Sequence, residues 1–212
     1  MKIIKKLILL FSSFLVVIAL LVYVDAVRRS YDAYEKDTAG YVGLNIGAPA
    51  DEALYVFGVP QEVFGPPERV RGLEGVWSRV YQVDGKDPKN ALPQGQTVKD
   101  YNDWQFDRDN HHITVTFDPK TRRVKAVGCY VDLSRWDWEC PRIFGVNTET
   151  HEDEVRERLG QPSWVKHDGV NKSLGYDDVG LELTLTQQRV FKLEKHAATG
   201  ATWQWKLKHL FL

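Results

Sequence analysis

Ile46-Gly47-Ala48-Pro49-Ala50-Asp51-Glu52-Ala53-Leu54-Tyr55-Val56-Phe57-Gly58-Val59-Pro60 and Thr148-Glu149-Thr150-His151-Glu152-Asp153-Glu154-Val155-Arg156-Glu157-Arg158-Leu159-Gly160-Gln161-Pro162 are two versions of one signal. Each has an acidic first turn, an apolar pair at i and i+4, and then Gly-x-Pro. Their recurrence within one chain reads as an internal duplication, and the rest of the sequence is ordered around it.

Each copy predicts a short helix with a hard stop. Pro49 suits the first helical position, where its missing N–H would be unpaired anyway. Thr150 serves as an N-cap in the second copy, with Asp153 completing a weak capping box. The acidic residues lie near the positive end of the helix dipole. Ala53 and Phe57, like Val155 and Leu159, are four apart and share a face. Gly58 and Gly160 supply the C′ residue, and Pro60 and Pro162 prevent continuation. A helix of roughly two and a half turns is not stable alone and must dock on something.

That something is predicted to be a sheet. After the first copy, residues 61–64 form a short strand ended by Gly65-Pro66-Pro67, and 76–83 are strand-like by aromatic and β-branched content. Residues 84–96 read as a loop, and a further strand starts at 103–106. Residues 112–117 alternate, which puts Ile113, Val115 and Phe117 on one face. A turn at 118–121 leads to a strand at 123–127. After the second copy come a strand at 163–166, a turn at His167-Asp168-Gly169 and a strand at 172–176. Residues 181–185 then mirror 113–117, and 189–193 mirror 123–127. The first copy is about 34 residues longer between its glycine stop and its hairpin, so residues 65–100 are an insertion. The expected class is α+β, two tandem repeats of short helices packed on an antiparallel sheet.

The chain opens with Lys2, Lys5 and Lys6 and then runs uncharged over residues 7–24, about the length a bilayer-spanning helix needs. Two readings fit this run, a cleaved signal peptide ending near Val24-Asp25-Ala26 and an uncleaved transmembrane anchor; length favours the anchor. The layout expected is a cytoplasmic 1–6, a transmembrane helix 7–24, a juxtamembrane linker 25–42, a first repeat 43–131, a connector 132–142, and a second repeat with a C-terminal strand 143–212. Formal net charge is −1 with no basic stripe, which argues against nucleic-acid binding.

A short acidic-start helix, Gly-x-Pro, and a hairpin carrying a run such as Leu181-Glu182-Leu183-Thr184-Leu185 resemble the SmpA/OmlA domain of envelope lipoproteins in the outer-membrane assembly machinery. Two such units in tandem are also similar in arrangement to the β-lactamase inhibitor protein fold. The resemblance covers roughly 43–131 and 143–195; the family's lipoprotein cysteine is absent. It implies an envelope compartment, and with the run at 7–24 the expectation is a bacterial inner-membrane, single-pass protein with its C-terminal domain in the periplasm.

In that oxidising compartment Cys129 and Cys140 are expected to form a disulfide, the alternative being two buried thiols. The loop between them holds Trp136 and Trp138, readable either as a presented recognition element or as packing between the halves. Tyr101, Trp104, Trp136, Trp138 and Trp164 are the candidate partner contacts, each of which would otherwise be core. Residues 203–212 alternate and suit a last strand, or an amphipathic tail.

Catalytic constellations do not emerge. The sequence has no Gly-x-Ser-x-Gly, Walker loop, Gly-x-Gly-x-x-Gly or His-Glu-x-x-His. His111 and His112 are adjacent on a strand and face opposite ways, while His151 and Glu154 are explained as well by the helix start. The expectation is a non-catalytic binding module with no cofactor or metal, its membrane contact at 7–24 and its partner another envelope protein. The alternative is a small-ligand sensor or enzyme using 65–100 as a lid.

Overall fold

The computed structural model describes residues 2–68, 77–134 and 138–199, with the backbone alone for 2–13, 30, 67, 68 and 77. Helix α1 spans Lys2–Ala39, and a compact unit begins at Asp37. Among the described residues no helix is long and apolar enough to cross a membrane. The described side chains of the expected anchor begin at Phe14, so those of residues 7–13 lie outside the description.

The compact unit starts with a small hairpin, β1 (Gly40–Tyr41) and β2 (Leu44–Asn45), followed by α2 (Ala50–Phe57). A Cβ at Gly40 would stand 2.2 Å from the Leu44 carbonyl oxygen, so the crossing of β1 and β2 demands glycine. The first repeat then supplies β3 (Glu62–Glu68), β4 (Trp77–Gln82), β5 (Asp103–Arg108), β6 (His111–Phe117) and β7 (Val124–Tyr130). The second supplies α3 (Glu152–Leu159), β8 (Trp164–Asp168), β9 (Asn171–Tyr176), β10 (Leu181–Thr186) and β11 (Arg189–His196). Strands β3–β11 make one antiparallel sheet in the order β4-β3-β5-β6-β7-β11-β10-β9-β8. The class is α+β, and the two repeats share a single sheet.

The duplication is visible in the register as well as in the sequence. Just before each helix the chain bridges the hairpin's return strand, Pro49 with Arg123 and His151 with Arg189. The Val124 N–H donates to Ala48 at 2.8 Å, and the Val190 N–H to Thr150 at 3.1 Å. Both hairpins carry a bulge at the same place, between Thr116 and Phe117 and between Thr184 and Leu185. Gly58 and Gly160 end their helices at φ 79° and 83°, both with ψ −156°. At the seam, β7 pairs β11 with Gly128 opposite Glu194, and the flanking pairs are Val127 with Lys195 and Cys129 with Leu193. Val127 corresponds to Leu193 and Cys129 to Lys195, so the pairing maps onto itself about a pseudo-twofold axis at Gly128–Glu194. A Cβ at Gly128 would lie 2.5 Å from the Thr114 hydroxyl, which leaves no room for a side chain on this axis.

Several local expectations change. Pro49 is the N-cap of α2, extended at ψ 156°, and helix begins at Ala50. His151 caps α3 and makes no side-chain cap bond. The expected Thr150–Asp153 box gives way because the Thr150 hydroxyl is spent inside the preceding turn. It accepts from the Asn147 N–H at 3.0 Å and donates to Asn147 Oδ1 at 2.7 Å. Strand β3 continues through Gly65-Pro66-Pro67, with a bulge between Phe64 and Pro67. Its pairing to β5 stops at Phe64, so beyond that point one side of β3 is a free edge where a proline lacks no ladder partner. Strand β8 extends to Asp168 and the turn moves on to Gly169, which has φ 58°. The C-terminal strand or tail at 203–212 lies outside the described residues.

Both short helices of the compact unit cover the same face of the sheet. Phe57 of α2 packs on Phe106 at 5.1 Å between ring centroids. On α3, Glu152 accepts from Lys172 at 2.6 Å, and the Gly160 carbonyl faces the Tyr176 hydroxyl. Val63, Trp104, Val115, Phe117, Leu174, Leu183, Leu185 and Leu193 point to this side and are buried. Alternation sends the other set to the opposite face, away from α2 and α3.

Candidate functional site

The opposite face of β3, β5, β6 and β7 carries Glu62, Gln105, Asp107, His112, Thr114 and Tyr130. Cross-strand pairing brings them together: Glu62 sits opposite Gln105, Asp107 opposite His112, and His112 opposite Tyr130. Gln105 is the hub. Its Oε1 accepts from the Tyr130 hydroxyl at 2.9 Å, and its amide donates to Asp107 Oδ1 at 3.1 Å. The same Asp107 oxygen lies 2.8 Å from His112 Nδ1. The His112 ring stacks on Tyr130 at 4.8 Å and meets Trp138 at 5.3 Å. A network in which each polar group has a partner holds its members rigidly.

Burial, then the Asp107 charge, raises the Glu62 carboxyl above its usual range, with His112 acting the other way. Burial likewise raises the Tyr130 phenol, helped by the Asp107 and Glu62 charges. On the next position, His111 is held down by burial and by Arg108 and His112. The Glu62 and Tyr130 shifts both carry the mark of the neighbouring carboxylate charge.

Trp138 meets this face two residues before a disulfide-bonded cysteine. Cys129 and Cys140 are bonded across a separation of 11 residues, with Cα atoms 6.0 Å apart. Cys129 points to the helix-covered side, in line with Ile113 and Leu193. Trp138, nine residues after Cys129, lies against His112 on the other side of the sheet. The pairing expected from the sequence is therefore present, and its loop presents an aromatic residue. Trp136 lies outside the described residues.

The remaining candidates divide. Trp104 is 0% exposed; its indole N–H donates to Val98 and Tyr101 carbonyls at 2.8 and 3.0 Å, and its ring packs on Phe117 at 4.5 Å. Tyr101 is buried beside it, against Tyr81 at 5.3 Å. Both belong to the core, which corrects their expected place at a partner surface. The reason is parity: Trp104 falls in register with Val63 and Val115, under the helices. Trp164 is on the opposite face, 36% exposed, lying over Gly175 with its N–H donating to Asp177 at 2.9 Å. Sequence reasoning missed Tyr130, Gln105 and Asp107. The signal was available for His112, since placing Ile113, Val115 and Phe117 inward places His112 outward.

A second concavity lies where the insertion meets the sheet. Phe64, Pro66, Tyr81, Gln96, Asp100 and Asp103 line it, and Arg79 stacks over Tyr81 at 5.2 Å. Among the described residues no group of three His, Cys, Asp or Glu side chains could hold a metal ion. Glu154 is engaged by Arg158 at 2.7 Å.

No family model matches this chain, and no curated protein matches it. Among solved structures it is similar to an extracellular protein containing an SCP domain from Bacillus anthracis str. Ames, at 11% identity and a TM-score of 0.34. The match covers 70% of this chain and 43% of that one, so the chain spans under half of that protein's length. A likeness this distant carries no argument about function.

Proposed function

We propose that this chain is a non-catalytic protein-interaction module of the bacterial envelope, held at the inner membrane by residues 7–24 with the sheet domain in the periplasm. The observation that carries the reading is the open sheet face, onto which a cystine-tied loop delivers Trp138 beside His112 and Tyr130. A rigid, partly exposed aromatic cluster within a polar rim has the composition of a binding hot spot. The disulfide fits an oxidising compartment. The run at 7–24 fits an anchor: Phe14, Leu15, Val16, Leu20, Leu21 and Val24 are each more than half exposed. A helix apolar all round needs lipid or protein to cover it. The short-helix repeats fit the SmpA/OmlA-like resemblance, and the partner in this reading is another envelope protein. A second reading, a small-ligand sensor, is favoured by the concavity under the insertion.

The test is site-specific photocrosslinking in intact cells with benzoylphenylalanine at Tyr130, Trp138 or Tyr55. Tyr55 is on α2 and 91% exposed, so it reports the helix side. The binding reading expects one protein trapped from Tyr130 and Trp138 and not from Tyr55. Adducts from Tyr55 alone, or from no position, would count against it.

A further inference from the structure

The open face has a charge pattern that specifies what kind of surface can meet it. Among the described residues of β3, β4, β5, β6 and β7, the positions on this side include Glu62, Asp103 and Asp107 and no lysine or arginine. Asp103 is engaged by the Thr116 hydroxyl at 2.7 Å. Asp107 is engaged by His112 at 2.8 Å and by the Gln105 amide at 3.1 Å. Glu62 has no ion pair among the described residues, and it is half-buried near Asp107. The cation next along the seam, Lys192, is taken by Glu194 at 2.6 Å. The Asp107 charge acts on the Glu62 carboxyl, and the Tyr130 and His112 rings, stacked on one another, lie beside both. A cation satisfies both features at once, by charge pairing with the carboxylates and by cation–π contact with the rings.

We infer that the partner meets this face with a basic segment, an arginine or lysine of which enters between Glu62 and Asp107 against the Tyr130 and His112 rings. The inference rests on the docking reading above and adds the partner's chemistry to it. Arginine suits the place best, since its planar fork pairs with carboxylates while its face stacks on a ring. The burial and Coulombic repulsion that raise the Glu62 carboxyl are what an incoming cation would relieve.

The experiment uses the full chain in detergent micelles and three fluorescein-labelled peptides that differ only in alternating arginine, citrulline or glutamate. Fluorescence anisotropy reads binding at low and at physiological salt. The arginine peptide is expected to bind, to weaken as salt rises, and to lose about tenfold or more in affinity with Glu62→Gln or Asp107→Asn. Glu182→Gln, on the distant half of the same face, should leave binding unchanged, and thermal melting checks that each variant is folded. Should a variant not fold, Thr114→Lys replaces it, placing a cation on the face and weakening the same peptide. Equal binding of the citrulline peptide, or affinity indifferent to Glu62→Gln, Asp107→Asn and Thr114→Lys, would overturn the inference. If crosslinking traps a partner at Tyr130 while the arginine peptide neither binds nor competes, the inference fails and the docking reading stands. If crosslinking traps nothing, the docking reading itself fails.

Discussion

Lys195 is a buried cation in the middle of the sheet. It is 0% exposed and donates to the Val179 and His196 carbonyls at 2.8 and 2.6 Å. Burial lowers its ammonium to about 8, against some help from Asp37. The folded protein therefore releases this proton before the unfolded chain does. Between pH 8 and the unfolded value the unfolded state binds more protons, so stability rises with pH there. Chemical denaturation at pH 7 and pH 9 should show a gain of about 1 kcal/mol, measured below most of the tyrosine ionisation. Lys195→Met should remove the gain. A wild-type curve that is flat or falling over that interval would show that Lys195 is solvated. Nothing in the sequence flags the residue, because Arg189-Val190-Phe191-Lys192-Leu193-Glu194-Lys195 alternates poorly across the hairpin bulge. Its inward direction follows only from the register with Val127.

At the scale of elements, the short helices and hairpins are legible because each carries a local signal. Acidic starts, Gly-x-Pro stops and two-residue alternation need no distant partner to be recognised. What is not legible depends on non-local pairing. The run of β3 through two prolines depends on its pairing with β5 ending at Phe64, and Trp104 is core because of the strands it pairs with. The Cys129–Cys140 link was readable, but not that Trp138 beside it meets His112 on the other face. Removing it with Cys129→Ser and Cys140→Ser together should cost about 3 kcal/mol by loop-closure entropy. It should also shift the Trp138 emission toward that of solvated indole, measured in a chain whose other tryptophans are replaced by phenylalanine. Unchanged emission would show that His112 and Tyr130 hold Trp138 without the cystine. Unchanged stability would show that the loop is constrained by other contacts.

For the whole molecule, the pseudo-twofold at Gly128–Glu194 explains why one face is closed and the other open. Duplication places both helices on the same side of a continuous sheet, so the apolar positions of both repeats fuse into one core. The opposite side is left with the outward half of each strand, and the site sits on the first repeat's share of it. The second repeat has Trp164 and the His196–Glu194 pair, at 3.3 Å, on its own share. The repeat architecture was readable from the sequence, whereas the joining of the two sheets edge to edge was not, because no local pattern records which strands meet. The central claim is that the open face is occupied in the envelope. The most direct measurement is hydroxyl-radical footprinting of the full chain, once purified and once in intact envelopes, read by mass spectrometry at His112, Tyr130 and Trp138 with Tyr55 as the exposed reference. The account predicts that the three react in the purified protein and are protected several-fold in the envelope while Tyr55 is unchanged. Equal reactivity of all three in both preparations would contradict it.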